Sequence, residues 1–422
     1  MKPALWCVVL TCAFAAPASA APLTLEEALA TVGAPHPDRR IAESELAGAL
    51  ADRAQAASRQ DFNLYLEGAA RTGRRPDGDW KPDNVARIVA RKPLYDFGRT
   101  SQAIAAADQE VAARQSSLFN VQNSRRIEIM ARYFDALLAD MQYAADNELM
   151  AVTYIAFDNA RDRFEVGQIS QPELVRIEAT FQDVRERRNA GLQRMSSARQ
   201  KLAHAMNRPG ELPSELVDPA LKDNGRAVPD YEALMAWAMK NNPRLLAAQA
   251  QLNAVEARVA SLRAENRPLL DAEVVGGNYS RASATRDDLS VGLVVSIPLY
   301  QGGRIDSRVA RELANRERLA AELEKLRREL SESLFATVQE ITWLRDSARP
   351  AADKQIEYRD WALERARAEY ELELKTNLGS SMAETQLASM RRKQVEYGLA
   401  LALARLEALS GGSLPPVEGA KQ

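Results

Sequence analysis

The sequence predicts a mainly α-helical protein with a membrane β-barrel part, on three observations. Apolar residues recur at heptad spacing along two very long stretches, pairs of short runs alternate apolar and polar residues, and this whole plan occurs twice in the 422-residue chain.

Residues 1–20 read as a signal peptide. Lys2 precedes an apolar run over residues 5–16, and Ala18-Ser19-Ala20 has the small residues that cleavage requires. That run, about a dozen residues, is too short to anchor in a bilayer. Cys7 and Cys12 are the only cysteines, so the mature chain is expected to carry no disulfide and no thiolate metal site. No later apolar run is long enough for a transmembrane helix, which leaves a β-barrel open because its alternation is nearly invisible to hydropathy. The net charge is −2, with Lys and Arg interleaved among Asp and Glu, and that argues against a nucleic-acid partner.

The duplication is carried by three matches in order. Lys92-Pro-Leu-Tyr-Asp-Phe-Gly-Arg99 returns as Ile297-Pro-Leu-Tyr-Gln-Gly-Gly-Arg304, about 205 residues later. Pro37-Asp-Arg-Arg-Ile41 faces Pro243-Arg-Leu-Leu-Ala247, and Leu25-Glu-Glu-Ala-Leu-Ala30 faces Tyr231-Glu-Ala-Leu-Met-Ala236. The first repeat is assigned to residues 21–206 and the second to 231–411. Residues 207–230, with Pro209, Gly210, Pro213, Pro219, Gly225 and Pro229, form the linker, and 412–422 the C-terminal tail.

Each repeat is expected to open with a helical segment of about 36 residues, near 25–60 and 231–266. After two strands comes a very long helix, from about 99 to 165 and from about 304 to 373, and then a return helix ending near 206 and 409. Ile127, Met130, Phe134, Leu137, Met141 and Ala144 form a heptad seam, echoed by Leu319, Leu323, Leu326 and Leu330. A 67-residue helix is roughly 100 Å long and needs partners along its length. The two shorter helices of a repeat, stacked end to end, would match it. An exposed coiled-coil rod fits the heptads equally well but leaves the strands unexplained. Pro350 is expected to kink or interrupt the second long helix.

The strands are expected at about 61–71 and 83–93 in the first repeat, and about 268–277 and 287–298 in the second. Each has the length that crosses a membrane obliquely. Val291, Leu293 and Val295 alternate with Ser290, Gly292 and Ser296, and Ile88 with Arg87 and Val89. Ile88, Val291, Leu293 and Val295 are assigned to a lipid face, and Glu67, Arg87, Arg91 and Glu273 to a barrel lumen. A soluble sheet with one face on a core gives the same alternation, but the helices spend their apolar stripes on one another and leave no layer to cover it. Trp80, Tyr95 and Tyr300 stand at strand ends, as girdle or as ordinary packing residues. Four strands cannot enclose a watery lumen, so a barrel requires oligomerisation.

These residues resemble the TolC family of outer-membrane channel proteins over essentially the whole mature chain. The marks are Leu23-Thr-Leu-Glu-Glu-Ala-Leu-Ala30, Asn242-Pro243, the paired Pro-Leu-Tyr…Gly-Arg junctions, and Phe164-Glu-Val-Gly-Gln-Ile-Ser-Gln-Pro-Glu-Leu174. The resemblance implies a homotrimer with a 12-stranded outer-membrane β-barrel, four strands per protomer, continued by a long α-helical coiled-coil barrel through the periplasm. It implies a passive exit duct of a tripartite efflux pump or type I secretion system. The implied partners are outer-membrane lipid, a periplasmic adaptor protein and an inner-membrane transporter. Adaptor-binding tips then fall on Val166, Gly167, Gln168, Ile169, Ser170 and Gln171, and on Thr376, Asn377, Leu378, Gly379 and Ser380. The chain departs from the family where an acidic constriction would stand, offering Asn377, Ser380 and Ser381 with Glu384 a turn later. It also has Asp61-Phe62 where the second repeat has Arg267-Pro268.

His36 and His204 are the only histidines, and no phosphate-binding or dinucleotide motif occurs. No catalytic residue, metal site or cofactor is therefore expected. The competing reading is a periplasmic coiled-coil adaptor or scaffold without a barrel, or a structural rod. Such adaptors usually carry compact domains of many strands, whereas this chain offers two symmetrically placed hairpins.

Overall fold

The computed structural model describes residues 22–74, 78–280, 287–372 and 378–416. The expected signal peptide, Thr376 and Asn377 of the second tip, and the tail from residue 417 lie outside the described residues.

The chain divides into two compact units, each drawing on both sequence repeats. The first is helical and comprises residues up to Ala34, Arg126–Asn224 and Leu344–Leu401. The second comprises Pro35–Arg125, Gly225–Trp343 and the residues from Ala402, and it holds the strands.

In the sheet unit the helices are α2 (Pro37–Ser58), the first part of α3 (Arg99–Glu165), α5 (Tyr231–Asn241), α6 (Pro243–Ala264) and α7 (Arg304–Trp343). The expected 36-residue helices are each broken. α1 (Leu25–Ala30) and a 3-10 turn precede α2, and α5 is cut from α6 at Asn242. Pro37 and Pro243 cause both breaks: each disfavours helical backbone in the residue before it and begins the next helix at its first position. His36 caps α2 by accepting from Asp38 N (3.2 Å), and Asn242 caps α6 by accepting from Arg244 N and Leu245 N. Arg53–Asp108 (2.6 Å) and Glu45–Arg114 (2.8 Å) tie α2 to α3. Val255 and Val259 of α6 pack on Leu319 of α7.

The four-stranded sheet is antiparallel, in the order β1 (Asn63–Ala69), β4 (Val85–Tyr95), β5 (Leu269–Tyr279), β6 (Leu289–Ser296). Each repeat thus supplies one adjacent pair, and β4 with β5 joins the pairs. The loop between β1 and β4 holds a small ribbon of β2 (Thr72–Arg74) and β3 (Trp80–Pro82). The strand-to-helix junctions match: Phe97 and Gly98 in one, Gly302 and Gly303 in the other, all have positive φ. Phe97 occupies this left-handed backbone with its ring edge-on to Tyr95 at 4.7 Å.

In the helical unit α3 continues beside α4 (Gln171–Ala205), together with α8 (Arg349–Glu371) and most of α9 (Leu378–Leu409). The expected seam is wider than one heptad stripe. Met130, Phe134 and Leu137 are buried, but so are Ile129, Tyr133 and Ala136, while Ala144 is exposed. Two neighbouring stripes bury because the helix packs on more than one side. The second long helix is interrupted as Pro350 requires: a π-helical turn, Leu344–Ala348, separates α7 from α8. Pro350 has no N–H for the carbonyl a turn back, and its ring presses on that carbonyl.

Candidate functional site

The register sorts the sheet into two unlike faces. Leu64, Ala90, Val274 and Val291 form one cross-strand row, and Leu66, Ile88, Gly276 and Leu289 the next. Leu293 opposes Ala272, and Val295 opposes Leu270, on that same face. Among the residues assigned to lipid, Ile88 is 53 %, Val291 75 %, Leu293 67 % and Val295 60 % exposed. A soluble sheet buries such a face, so these values decide against that alternative.

The opposite face carries the charges. Glu67 opposes Arg87 and the side chains pair at 2.5 Å. Arg91 opposes Glu273 and pairs with it across β4 and β5. All four residues assigned to a lumen therefore share one face as two neutral cross-strand pairs. Val89 stands between the arginines and is 3 % exposed, and Asp271 of the same face is buried. Alternation alone placed both on this face but could not foretell their burial.

The two central strands are long enough to span, whereas β1, of seven residues, and β6, of eight, are shorter than the sequence leads one to expect. Eleven residues of β4 or β5 reach about 36 Å, or about 25 Å when tilted by 45°. The outer edges of β1 and β6 have no partner strand among the described residues. In hydrocarbon such edges cannot stay unpaired.

The first turn between long helices is built by its glycine. Gly167 adopts φ +75°, Gly167 N donates to Phe164 O (2.9 Å) and Gln168 N donates to Arg163 O (2.8 Å). These bonds close α3 in a Schellman motif. Val166 and Gln168 are exposed, Ile169 is half-buried, Ser170 is the N-cap of α4 and Gln171 its first residue. Of the second expected tip, Leu378, Gly379 and Ser380 form the first turn of α9. A Cβ on Gly379 would meet Val152 Cγ2 of α3 at 2.3 Å, so glycine here permits close helix approach. Glu384 is paired with Arg359 of α8. Among the described residues no group of His, Cys, Asp and Glu is arranged to hold a metal ion, and no helix is long and apolar enough to cross a membrane.

Residues 234–412 match the family model described as outer membrane efflux protein. The chain is 24 % identical over 253 residues to the outer membrane efflux protein BepC of Brucella suis biovar 1 (strain 1330), covering 56 % of this chain and 52 % of BepC. It therefore spans about half the length of that relative. It is 23 % identical over 337 residues to the proteases secretion protein PrtF of Dickeya chrysanthemi, covering 74 % of this chain and 69 % of PrtF. The solved structure of the outer membrane protein VceC from Vibrio cholerae superposes with a TM-score of 0.71 at 16 % identity, over 93 % of this chain and 97 % of VceC.

The chain is similar to TolC-like outer-membrane channel proteins, in sequence over residues 234–412 and in fold over most of its length. Its fold is theirs, helices with a β part.

Proposed function

We propose that the chain is the outer-membrane exit duct of a tripartite efflux pump or type I secretion system. It works as a homotrimer whose twelve strands close a barrel. The observation that carries this is the two-faced sheet: an exposed apolar face, a charge-paired face and two open edges. Two copies would close only eight strands, a barrel filled by its own side chains, whereas twelve leave an aqueous lumen. Arg87, Arg91, Glu67 and Glu273 then line water, and Ile88, Val291, Leu293 and Val295 meet lipid.

The names of BepC, an efflux protein, and PrtF, a protein for secreting proteases, support both kinds of cargo delivery. The mechanism is conduction. An inner-membrane transporter supplies cargo through a periplasmic adaptor that docks on Val166, Gly167, Gln168, Ile169, Ser170 and Gln171 and on Thr376, Asn377, Leu378, Gly379 and Ser380. The chain itself performs no catalysis and needs no cofactor. The scaffold reading would leave the apolar sheet face in water.

Membrane fractionation, with electrophoresis of heated and unheated samples, tests the reading. The expected product sits in the outer membrane, runs as a trimer unheated, and gives stepwise conductance in planar bilayers. A soluble monomer insensitive to heating contradicts it.

A further inference from the structure

A cleft of about 1190 Å³ lies in the sheet unit, walled by α2, α3, α6 and α7 and by the bases of β5 and β6. Leu269 and Ser296 line it. They oppose each other at a register position belonging to the charged face of the sheet. The cleft therefore continues that face. Seven arginines line it against four carboxylates, an excess of three positive charges per protomer.

The carboxylates do not offset the arginines evenly. Glu265 accepts from Arg308 Nη1 at 2.8 Å, and Glu110 accepts from Arg258 at 3.3 Å. Arg59, Arg304 and Arg311 line the cleft with exposed side chains and no carboxylate partner among the described residues. Arg304, Arg308 and Arg311 form one stripe of α7, because spacings of four and three return to the same helix face. On the sheet above, by contrast, each arginine is neutralised by its cross-strand partner.

We infer that this cleft forms an arginine collar on the wall of the duct that binds acidic stretches of passing polypeptide. The inference rests on the duct reading, because only a trimer makes the charged face a lumen. Arginine stays charged at every physiological pH and presents a planar fork that grips carboxylates. The positive charges are spread over several helices, which suits an extended chain of carboxylates better than one compact anion. A confined aqueous wall also focuses the field of like charges.

The test uses the full chain, purified in detergent and reconstituted in planar bilayers, with fluorescent hexaglutamate as probe. Hexaglutamate should bind the detergent-solubilised protein, more weakly as salt rises. It should also block the open channel. The double variant R304Q/R311Q should lower both effects by roughly tenfold, the scale of two solvent-screened charge pairs. R328Q, on an exposed part of α7 away from the cleft, should leave them unchanged. Equal binding by wild type and double variant, with normal trimers and conductance, would overturn the collar. Tighter binding of inorganic polyphosphate than of hexaglutamate would overturn the assignment to acidic polypeptide. Absence of conductance would defeat the duct reading instead, and the detergent titration would still report on the cleft.

Discussion

Tyr397 stacks on Phe134 at 4.5 Å, and its hydroxyl donates to Asp218 Oδ1 at 2.6 Å, where Lys393 also pairs. Tyr133, in the same unit, places its hydroxyl 2.5 Å from Val217 O and 2.8 Å from Leu23 O. These two phenols pin the inter-repeat linker and the segment before α1 onto the helices. Replacing Tyr397 by Phe removes one donor from Asp218 and should cost about 1–3 kcal/mol in chemical unfolding. Burial lifts Tyr133 to about 12 and raises Tyr397 as well, from the usual value of 10.0. In the unfolded chain both ionise near 10, so their contribution is complete below that pH and is lost as pH rises toward 12. Unfolding followed from pH 8 to 12 should show this loss, and Y397F should flatten it. None of this was legible in the sequence, since a tyrosine in a heptad reads as core and Asp218 lies far away in an irregular linker.

The helix ends were the most legible elements, because their chemistry is local. Gly167 after α3 and Gly411 after α9 both have positive φ, and each closes its helix with the same pair of backbone bonds. Open space surrounds a Cβ built on Gly167, whereas at Gly411 it would lie 2.3 Å from Asn241 O. Gly167→Ala should therefore cost only the left-handed backbone, about 1–2 kcal/mol, and leave the trimer assembled. Gly411→Ala must also displace α5, so thermal melting of the trimer should fall further for it than for Gly167→Ala. Equal losses would show that Gly411 does not pack closely against Asn241. The breaks before Pro37 and Pro243 were less legible because apolar spacing continues through them; only the prolines mark the cut. The π-helical turn before Pro350 was expected as a kink, its form set by a carbonyl that proline cannot satisfy.

At the scale of the molecule, the sequence showed two hairpins and the alternation that sorts their residues into two faces, but not the pairing register of either. It did not show that β4 pairs with β5, a contact between strands about 180 residues apart in the chain. It did not show the cleft either, whose arginines come from three helices and two helix-flanking positions and look like solvated faces one element at a time. A bare apolar face of this kind marks a contact surface, and the duct proposal assigns it to lipid. Leu293→Arg places a charge there and should cost about 2–4 kcal/mol near the bilayer midplane. Heat-modifiable trimer in the outer membrane should fall, while Glu67→Gln, on the charged face, should assemble normally and change ion selectivity.

The most direct measurement uses the absence of cysteine after residue 12. Single cysteines at Val291, Leu293 and Val295, and at Arg87, Arg91 and Glu273, can each carry a spin label in the reconstituted trimer. Collisions with dissolved oxygen, which concentrates in lipid, and with a water-soluble paramagnetic chelate then report each environment. The account predicts that the first three sites relax with oxygen and the last three with the chelate. Equal access of the chelate to both sets would contradict it.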